Sequence, residues 1–151
     1  MAAYNNQKYI DHYLNIKDVY PSVFSLKMFL GNNPNLDLRD KIIAVGSDRV
    51  PAECINRFVA KGATFIANWG MSEIGPMAIN KTFTPASSEA EDLDMDGRTC
   101  TLMGDTAFCD VQISEWNELI VKGDICVYDD WFATGDIVKF EKGSYWYYGR
   151  K

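Results

Sequence analysis

Thr64-Phe65-Ile66-Ala67-Asn68-Trp69-Gly70-Met71-Ser72-Glu73-Ile74-Gly75-Pro76, TFIANWGMSEIGP, passes from an apolar, strand-like segment directly into a hydroxyl and a carboxylate. Upstream, LRDKIIAVGSD holds a β-branched apolar run that ends in glycine. Next, PAECINRFVAKG opens on proline, closes on glycine and carries apolar Ile55, Phe58 and Val59 between them. Strand, helix, strand in that order favours a parallel pair with a right-handed crossover. The Gly70-to-Glu73 turn then falls at the carboxyl end of a parallel strand, where open α/β sheets leave a ligand crevice. Two readings of the turn stand side by side. In one, Gly70 allows close backbone approach, Ser72 donates to a phosphate oxygen, and Glu73 holds a Mg²⁺ ion, which prefers hard oxygen ligands. In the other, Ser72 is a helix cap that accepts from the backbone of the following turn.

Working outward, residues 7–18 place Tyr9, Ile10, Tyr13, Leu14 and Ile16 at helical spacing, and Pro21 precedes SVFSLKMFLGN, a second helical stretch with Gly31 as its stop. Beyond about residue 82 the pattern changes to short strand-like segments separated by turn residues: RTCTLMG, AFCDVQIS, ELIVKG, DICVYD, WFATGDIVKF and SYWYYGR. The expected fold class is α/β with an α+β mix, a partial parallel βαβ layer with helices followed by a small β-rich, barrel-like subdomain. Residues 1–82 form the α/β portion in this reading and 83–97, including PASSEAEDLDMDG, an exposed acidic connection. Residues 98–151 form the β-rich portion. No internal repeat is visible.

Composition narrows the function classes. With 15 Lys and Arg against 21 Asp and Glu, the net charge of −6 repels polyanions and argues against nucleic acid as a partner. Apolar runs fall short of the roughly 20 residues of a membrane span, and the amino terminus lacks a basic region followed by an apolar one, so a cytoplasmic protein is expected. Cys54, Cys100, Cys109 and Cys126 form no C-x-x-C pair, which leaves free thiols as the default and removes zinc-site spacing. The only histidine, His12, lies in a polar segment, which weakens any nucleophile–histidine proposal. Asp92, Asp94, Asp96 and Gly97 imitate the opening of a calcium loop, yet Met103 occupies the position that needs a bidentate Glu.

A second carboxylate sits at a Thr-Gly-Asp turn in WFATGDIVKFEKGSYWYYGRK, and an arginine follows a hairpin signal. A carboxylate accepts from two vicinal hydroxyls and a guanidinium donates in a fixed fork, so Asp136 and Arg150 suit a ribose. The plain alternative is a surface turn and a solvated charge.

In order and spacing these pieces resemble the adenylate-forming superfamily, which comprises acyl- and aryl-CoA ligases, peptide-synthetase adenylation domains and luciferases. Trp69-Gly70-Met71-Ser72-Glu73 is similar to its aromatic-Gly-x-Thr-Glu motif, and Asn117-Glu118-Leu119-Ile120-Val121-Lys122-Gly123 resembles its Gly-Glu-Leu strand. Trp131-Phe132-Ala133-Thr134-Gly135-Asp136 matches its Trp-x-x-Thr-Gly-Asp turn, and Tyr147-Tyr148-Gly149-Arg150 its closing Tyr-x-x-Gly-Arg. Val45-Gly46-Ser47-Asp48-Arg49-Val50-Pro51 looks like the adenine-side loop and PSVFSLKMFL like the helix before it, so the resemblance runs from about residue 18 to 151. It implies ATP-dependent activation of a carboxylic acid, which attacks the α-phosphorus, forms an acyl-adenylate and releases pyrophosphate. The implied cofactors are ATP or AMP and Mg²⁺, with CoA as acceptor in the CoA ligases. By the same resemblance Ser72 and Glu73 are catalytic, Ser72 on phosphate and Glu73 on Mg²⁺. Asp136 and Arg150 hold the ribose, and Gly46, Ser47, Asp48, Asn68, Trp69, Gly70 and Met71 line the adenine pocket.

The sequence departs from the family in three places. It shows no Ser/Thr/Gly-rich triphosphate loop ending in lysine and no lid with a catalytic lysine; Lys151 falls at or just before the family's hinge. Between Gly123 and Trp131 it has only DICVYDD, where relatives are longer. Loss of even one preorganised electrostatic group costs about 10² to 10³ in rate, so autonomous adenylation is not expected. Three readings follow: a portion of a split or larger ligase, a nucleotide-binding module without chemistry, or a scaffold remnant. The first expects an exposed sheet face covered by missing ligase segments or by a homodimer, with Tyr145, Trp146, Tyr147 and Tyr148 as candidates; the alternative is a hairpin that packs these residues on its own core.

Overall fold

The structure, a computed structural model, describes residues 18–19, 35–46 and 49–151, without the side chains of 18, 19 and 76. His12, the helix expected from Pro21, and Ser47 and Asp48 of the adenine-side loop lie outside the described residues. So does the helix expected over 7–18, except that Asp18 opens a short strand instead.

That strand, β1 (Asp18–Val19), runs parallel to β2 (Ile42–Val45), pairing Asp18 with Ile42 and Val19 with Ile43. The amphipathic stretch after Pro51 folds as α1 (Ala52–Ala60), which buries Ala52, Cys54, Ile55 and Phe58, a stripe at helical spacing. Its end is closed by backbone: the Gly62 N–H donates to the Val59 carbonyl at 2.9 Å and the Ala63 N–H to that of Phe58 at 3.3 Å. Then come β3 (Thr64–Met71) and β4 (Gly75–Phe83), separated only by Ser72, Glu73 and Ile74. Neighbouring strands joined by so short a link form a hairpin, since a parallel connection needs a dozen residues or more. No helix follows Ser72, so the helix-cap reading of that residue is corrected: Ser72 sits in a β-turn closed by the Ile74 N–H donating to the Met71 carbonyl at 3.0 Å.

The remaining elements are all strands: β5 (Asp94–Met95), β6 (Arg98–Thr99), β7 (Thr101–Gly104), β8 (Thr106–Ala107), β9 (Asp110–Ile113), β10 (Glu118–Lys122), β11 (Phe132–Glu141) and β12 (Ser144–Arg150). One sheet has the order β1-β2-β3-β4-β8. The other, β7-β12-β11-β10-β9, is antiparallel throughout. The expected barrel-like subdomain is thus a linear five-stranded sheet. The calcium-loop look-alike is the β5–β6 hairpin, whose Asp96 and Gly97 both have positive φ, 52° and 78°. Asp-Gly is the pair that such a tight turn favours.

By contacts the chain forms two compact units: described residues up to Ile66 with Thr82–Glu91, and Ala67–Lys81 with Asp92–Lys151. In the first, Ile43, Val45, Ile55, Phe58 and Phe65 are buried, and the Phe58 and Phe65 rings lie 6.1 Å apart. The mostly exposed acidic tract is tethered here by one amide. Asn56 Nδ2 donates to the Ala90 carbonyl at 2.9 Å, and Asn56 Oδ1 accepts from the Ala90 N–H at 2.8 Å. The second unit packs Ile74, Ile79, Met103, Leu119, Val121 and Val138, all fully buried. Tyr145 and Tyr147 pack against that cluster and Trp146 is buried, which favours the hairpin-on-its-own-core reading of those aromatics. The large apolar groups left exposed are elsewhere, among them Phe108, Trp116, Val127 and Tyr128.

Gly104 ends β7 where backbone meets backbone. At φ 147° a Cβ there would lie 2.2 Å from the carbonyl carbon and oxygen of Asn80. Gly104→Ala is expected to cost about 2–4 kcal/mol, because main chain cannot step aside as a side chain can. Gly143→Ala in the β11–β12 turn, with nothing within 4 Å, is expected to cost about 1 kcal/mol from its φ of 75° alone. Urea unfolding of the two variants checks the difference; equal losses would contradict the packing at Asn80.

Candidate nucleotide site

Alternation along β11 buries Thr134, Asp136 and Val138 on one face. A carboxylate therefore occupies the polar end of a core-facing row, where an unpaired charge would be costly. Asp136, 6% exposed, is satisfied by two donors. Arg150 Nη1 donates to Oδ1 at 2.6 Å, and the Trp69 indole N–H donates to Oδ2 at 3.0 Å.

The Arg150 contact depends on register. Along β11 and β12, Lys139 faces Trp146 and Val138 faces Tyr147, but Ile137 faces Gly149 and Asp136 faces Arg150, so Tyr148 is an extra, bulged residue. Without it Asp136 would face Gly149, and Arg150 would point to the other side of the sheet. The bulge makes Asp136 and Arg150 a direct cross-strand pair.

The Thr-Gly-Asp segment, expected as a turn, is instead a bulge inside a ten-residue strand. Against β10, Glu118 faces Ile137 and Ile120 faces Ala133, so β11 spends more residues than its partner over this interval. The displaced groups find other partners. Thr134 Oγ1 donates to the Leu119 carbonyl at 2.9 Å and accepts from the Asp136 N–H at 3.1 Å. Glu118 Oε2 accepts from the Gly135 N–H at 3.0 Å. Arg150 Nη1 also donates to the Thr134 carbonyl, at 3.0 Å. The φ of 78° at Gly135 favours glycine, and a Cβ there would stand 3.1 Å from a guanidinium nitrogen of Arg150, which would have to give by a few tenths of an ångström.

Glu73 belongs with this group through charge. The Asp136 carboxylate, by its hydrogen bond and then its charge, raises the Arg150 guanidinium above its ordinary pKa, and Glu73 adds a smaller push in the same direction. The turn carrying Glu73 is itself anchored, because the Val127 N–H donates to the Glu73 carbonyl at 2.8 Å. Ser72 is exposed, with no hydrogen-bond partner for its hydroxyl among the described residues. Asn68, Trp69, Gly70 and Met71 lie half-buried on β3. Gly46 follows β2 in the first unit and is exposed. Of the expected site residues, then, Trp69, Asp136 and Arg150 are in contact, and Glu73 is within electrostatic reach of Arg150.

Sequence reading missed the support beneath them. Glu118 also accepts from Lys151 Nζ at 3.2 Å, and the Lys151 N–H donates to the Gly135 carbonyl at 2.7 Å, so Glu118 and Lys151 clamp the bulge from both sides. The signal available was a carboxylate opening the otherwise apolar ELIV of β10. A cavity of about 320 Å³ in the first unit, lined by Asn56, Val59, Phe83 and Glu89 among others, contains none of the expected site residues. Burial, with a smaller push from Cys126, takes the Cys109 thiol up to about 11, and burial also raises Cys100 and Cys126, which disfavours the thiolate at these three. Among the described residues no group of three or more His, Cys, Asp or Glu side chains converges as a metal site.

The fold has solved counterparts. The anthranilate CoA ligase AuaEII in complex with anthranoyl-AMP matches 99% of this chain with 33% of its own, at TM-score 0.71 and 15% identity. Escherichia coli MenE with a bound analogue of OSB-AMS matches 97% with 33% of its own, at 0.69 and 18%. The adenylation domain of a keto acid-selecting NRPS module bound to a keto acyl adenylate matches 95% with 38% of its own, at 0.68 and 17%. No protein-family model and no curated protein matches the sequence. The chain has the fold of the adenylate-forming superfamily, and it spans about a third of the length of these structures.

The clamp gives a pH signature. Lys151 and the Gly135 N–H hold the Glu118 carboxyl below its ordinary pKa, so its stabilisation is complete above the usual glutamate range and is lost as pH falls through the lowered value. Thermal unfolding of the parent and Glu118→Gln from pH 7 to pH 3 is expected to show the gap between them largest at neutral pH and narrowing in acid. A gap independent of pH would contradict the clamp.

Proposed function

We propose that this chain is the adenine-nucleotide-binding portion of an ATP-dependent, carboxylate-activating ligase of the acyl-CoA-ligase type. The observation that carries this reading is the convergence of Trp69, Asp136 and Arg150, with Glu73 close enough to act on Arg150, in a fold whose solved relatives hold acyl or aryl adenylates. Asp136 and Arg150 receive the ribose hydroxyls, Trp69 and its β3 neighbours take the base, and the free hydroxyl of Ser72 meets phosphate. In this reading β2, α1 and β3 form the parallel crossover, residues 1–82 and 98–151 are its two working portions, and 83–97 connects them.

Mg²⁺ fits this set in a limited way. Glu73 offers one hard oxygen donor, and Mg²⁺ commonly takes one or two carboxylates and fills its octahedron with phosphates and water, so a larger protein cage is not required. When bound it offsets charge on the phosphates. The chain's own residues orient the nucleotide, and the acid substrate supplies the nucleophile. By the family resemblance, the chemistry draws on further ligase segments that supply a triphosphate loop and a lid lysine.

A second reading, a non-catalytic scaffold, is favoured by one observation: the carboxylate and guanidinium of the candidate ribose site satisfy each other within the protein. Thermal shift with ATP, AMP and a non-hydrolysable acyl-adenylate mimic, with and without Mg²⁺, separates the two. A ligand at 100 times its dissociation constant raises stability by about 2.7 kcal/mol. Asp136→Ala is expected to weaken all three ligands, and Glu73→Ala to remove mainly the Mg²⁺-dependent part for ATP. No shift with any ligand would leave the scaffold reading standing.

A further inference from the structure

The geometry points to Trp69 as a positioning residue that fixes the Asp136 carboxylate as a receptor for a vicinal diol, and so sets the preference for ribose over deoxyribose. This inference rests on the nucleotide reading above and adds to it a role for the indole nitrogen, distinct from any contact between the ring and the base.

A carboxylate has about four lone-pair sites, two on each oxygen. Arg150 takes one on Oδ1 and Trp69 takes one on Oδ2, so each oxygen retains one. A cis-diol brings two donors, one for each oxygen. If either protein donor were absent, the carboxylate would be free to rotate about its terminal torsion, which is broad and roughly two-fold. With a donor on each oxygen the plane is set before ligand arrives, and the ordering cost is already met.

The two anchors differ in kind. The Arg150 side chain is 64% exposed and hinges on the last residue of β12, whereas Trp69 is half-buried, packs against the apolar cluster of the second unit and has a single N–H in a rigid ring. Trp69 is therefore the anchor that cannot follow the carboxylate if it turns. Phenylalanine in its place keeps a ring but offers no donor, which isolates the hydrogen bond. The residue's own sequence context agrees: alternation on β3 places Trp69 on the same side as Ala67 and Phe65, and its nitrogen projects to Asp136.

The test is calorimetric titration of the parent, Trp69→Phe and Asp136→Asn with AMP and with its 2′,3′-dideoxy analogue. Any loss of base stacking in Trp69→Phe weakens both ligands alike, so the ratio of their affinities reports the ribose contact alone. The parent is expected to prefer AMP by about 100-fold, from two hydrogen bonds to a charged group, and Trp69→Phe by about tenfold or less. A ratio unchanged in Trp69→Phe would overturn this inference while leaving the nucleotide reading intact. Absence of AMP binding, or equal affinity of the parent for both ligands, would overturn both. A ligand-free readout needs no change at residue 69: the assigned Trp69 indole N–H resonance is expected to shift in Asp136→Asn, and a resonance that stays in place would also overturn the inference.

Discussion

A carboxylate on the buried face of a strand constrains everything around it. Asp136 lies in line with Thr134 and Val138, where the neighbouring strand contributes Leu119 and Val121 to a fully apolar cluster. Burying such a charge without partners costs several kcal/mol, and the pair that relieves it must be held in good geometry. The irregularities next to Asp136 serve that need. The Tyr148 bulge carries Arg150 into register, Gly135 makes room for the guanidinium, Glu118 accepts from the Gly135 N–H and the Lys151 N–H donates to the Gly135 carbonyl, the groups that the distorted strand can no longer pair. In the proposed reading stability and recognition use the same atoms, because a carboxylate held by two donors still has an acceptor site left on each oxygen.

How much of this was legible in the sequence depended on the range of the interaction. Local patterns read well: proline before and glycine after an amphipathic run marked α1, and β-branched and aromatic segments between turn residues marked β3, β10, β11 and β12. Register did not. Spacing in WFATGDIVKF gives period-two alternation but carries no mark of the bulge at Thr134-Gly135-Asp136, which was read as a turn, nor of the single extra residue at Tyr148. A one-residue slip reverses every side chain, so no propensity argument could put Arg150 opposite Asp136. Ser72 was offered as a possible helix cap because hydroxyls favour both caps and turns, and only the pairing of β3 with β4 decides between them. The Asn56 clamp on Ala90 spans 34 residues and left no local trace at all.

The named site residues fared unevenly for the same reason. Trp69, Asp136 and Arg150, named from motif resemblance, stand in contact. Glu118 and Lys151 were visible only as motif letters, because the job they do, receiving displaced main-chain groups, is defined by a distortion that motifs do not encode. Fold likeness at 15–18% identity supplies the architecture and no chemistry; the functional argument rests on these particular side chains.

The account stands or falls on whether the Asp136 cluster receives a nucleotide. The most direct measurement is an AMP titration of the isotopically labelled chain followed by backbone and indole N–H resonances. The account expects saturable shifts at Trp69, Gly70, Gly135 and Asp136 and at the Trp69 indole, with residues lining the cavity at Asn56 and Phe83 unmoved. Saturable shifts confined to that cavity, or none anywhere, would contradict it.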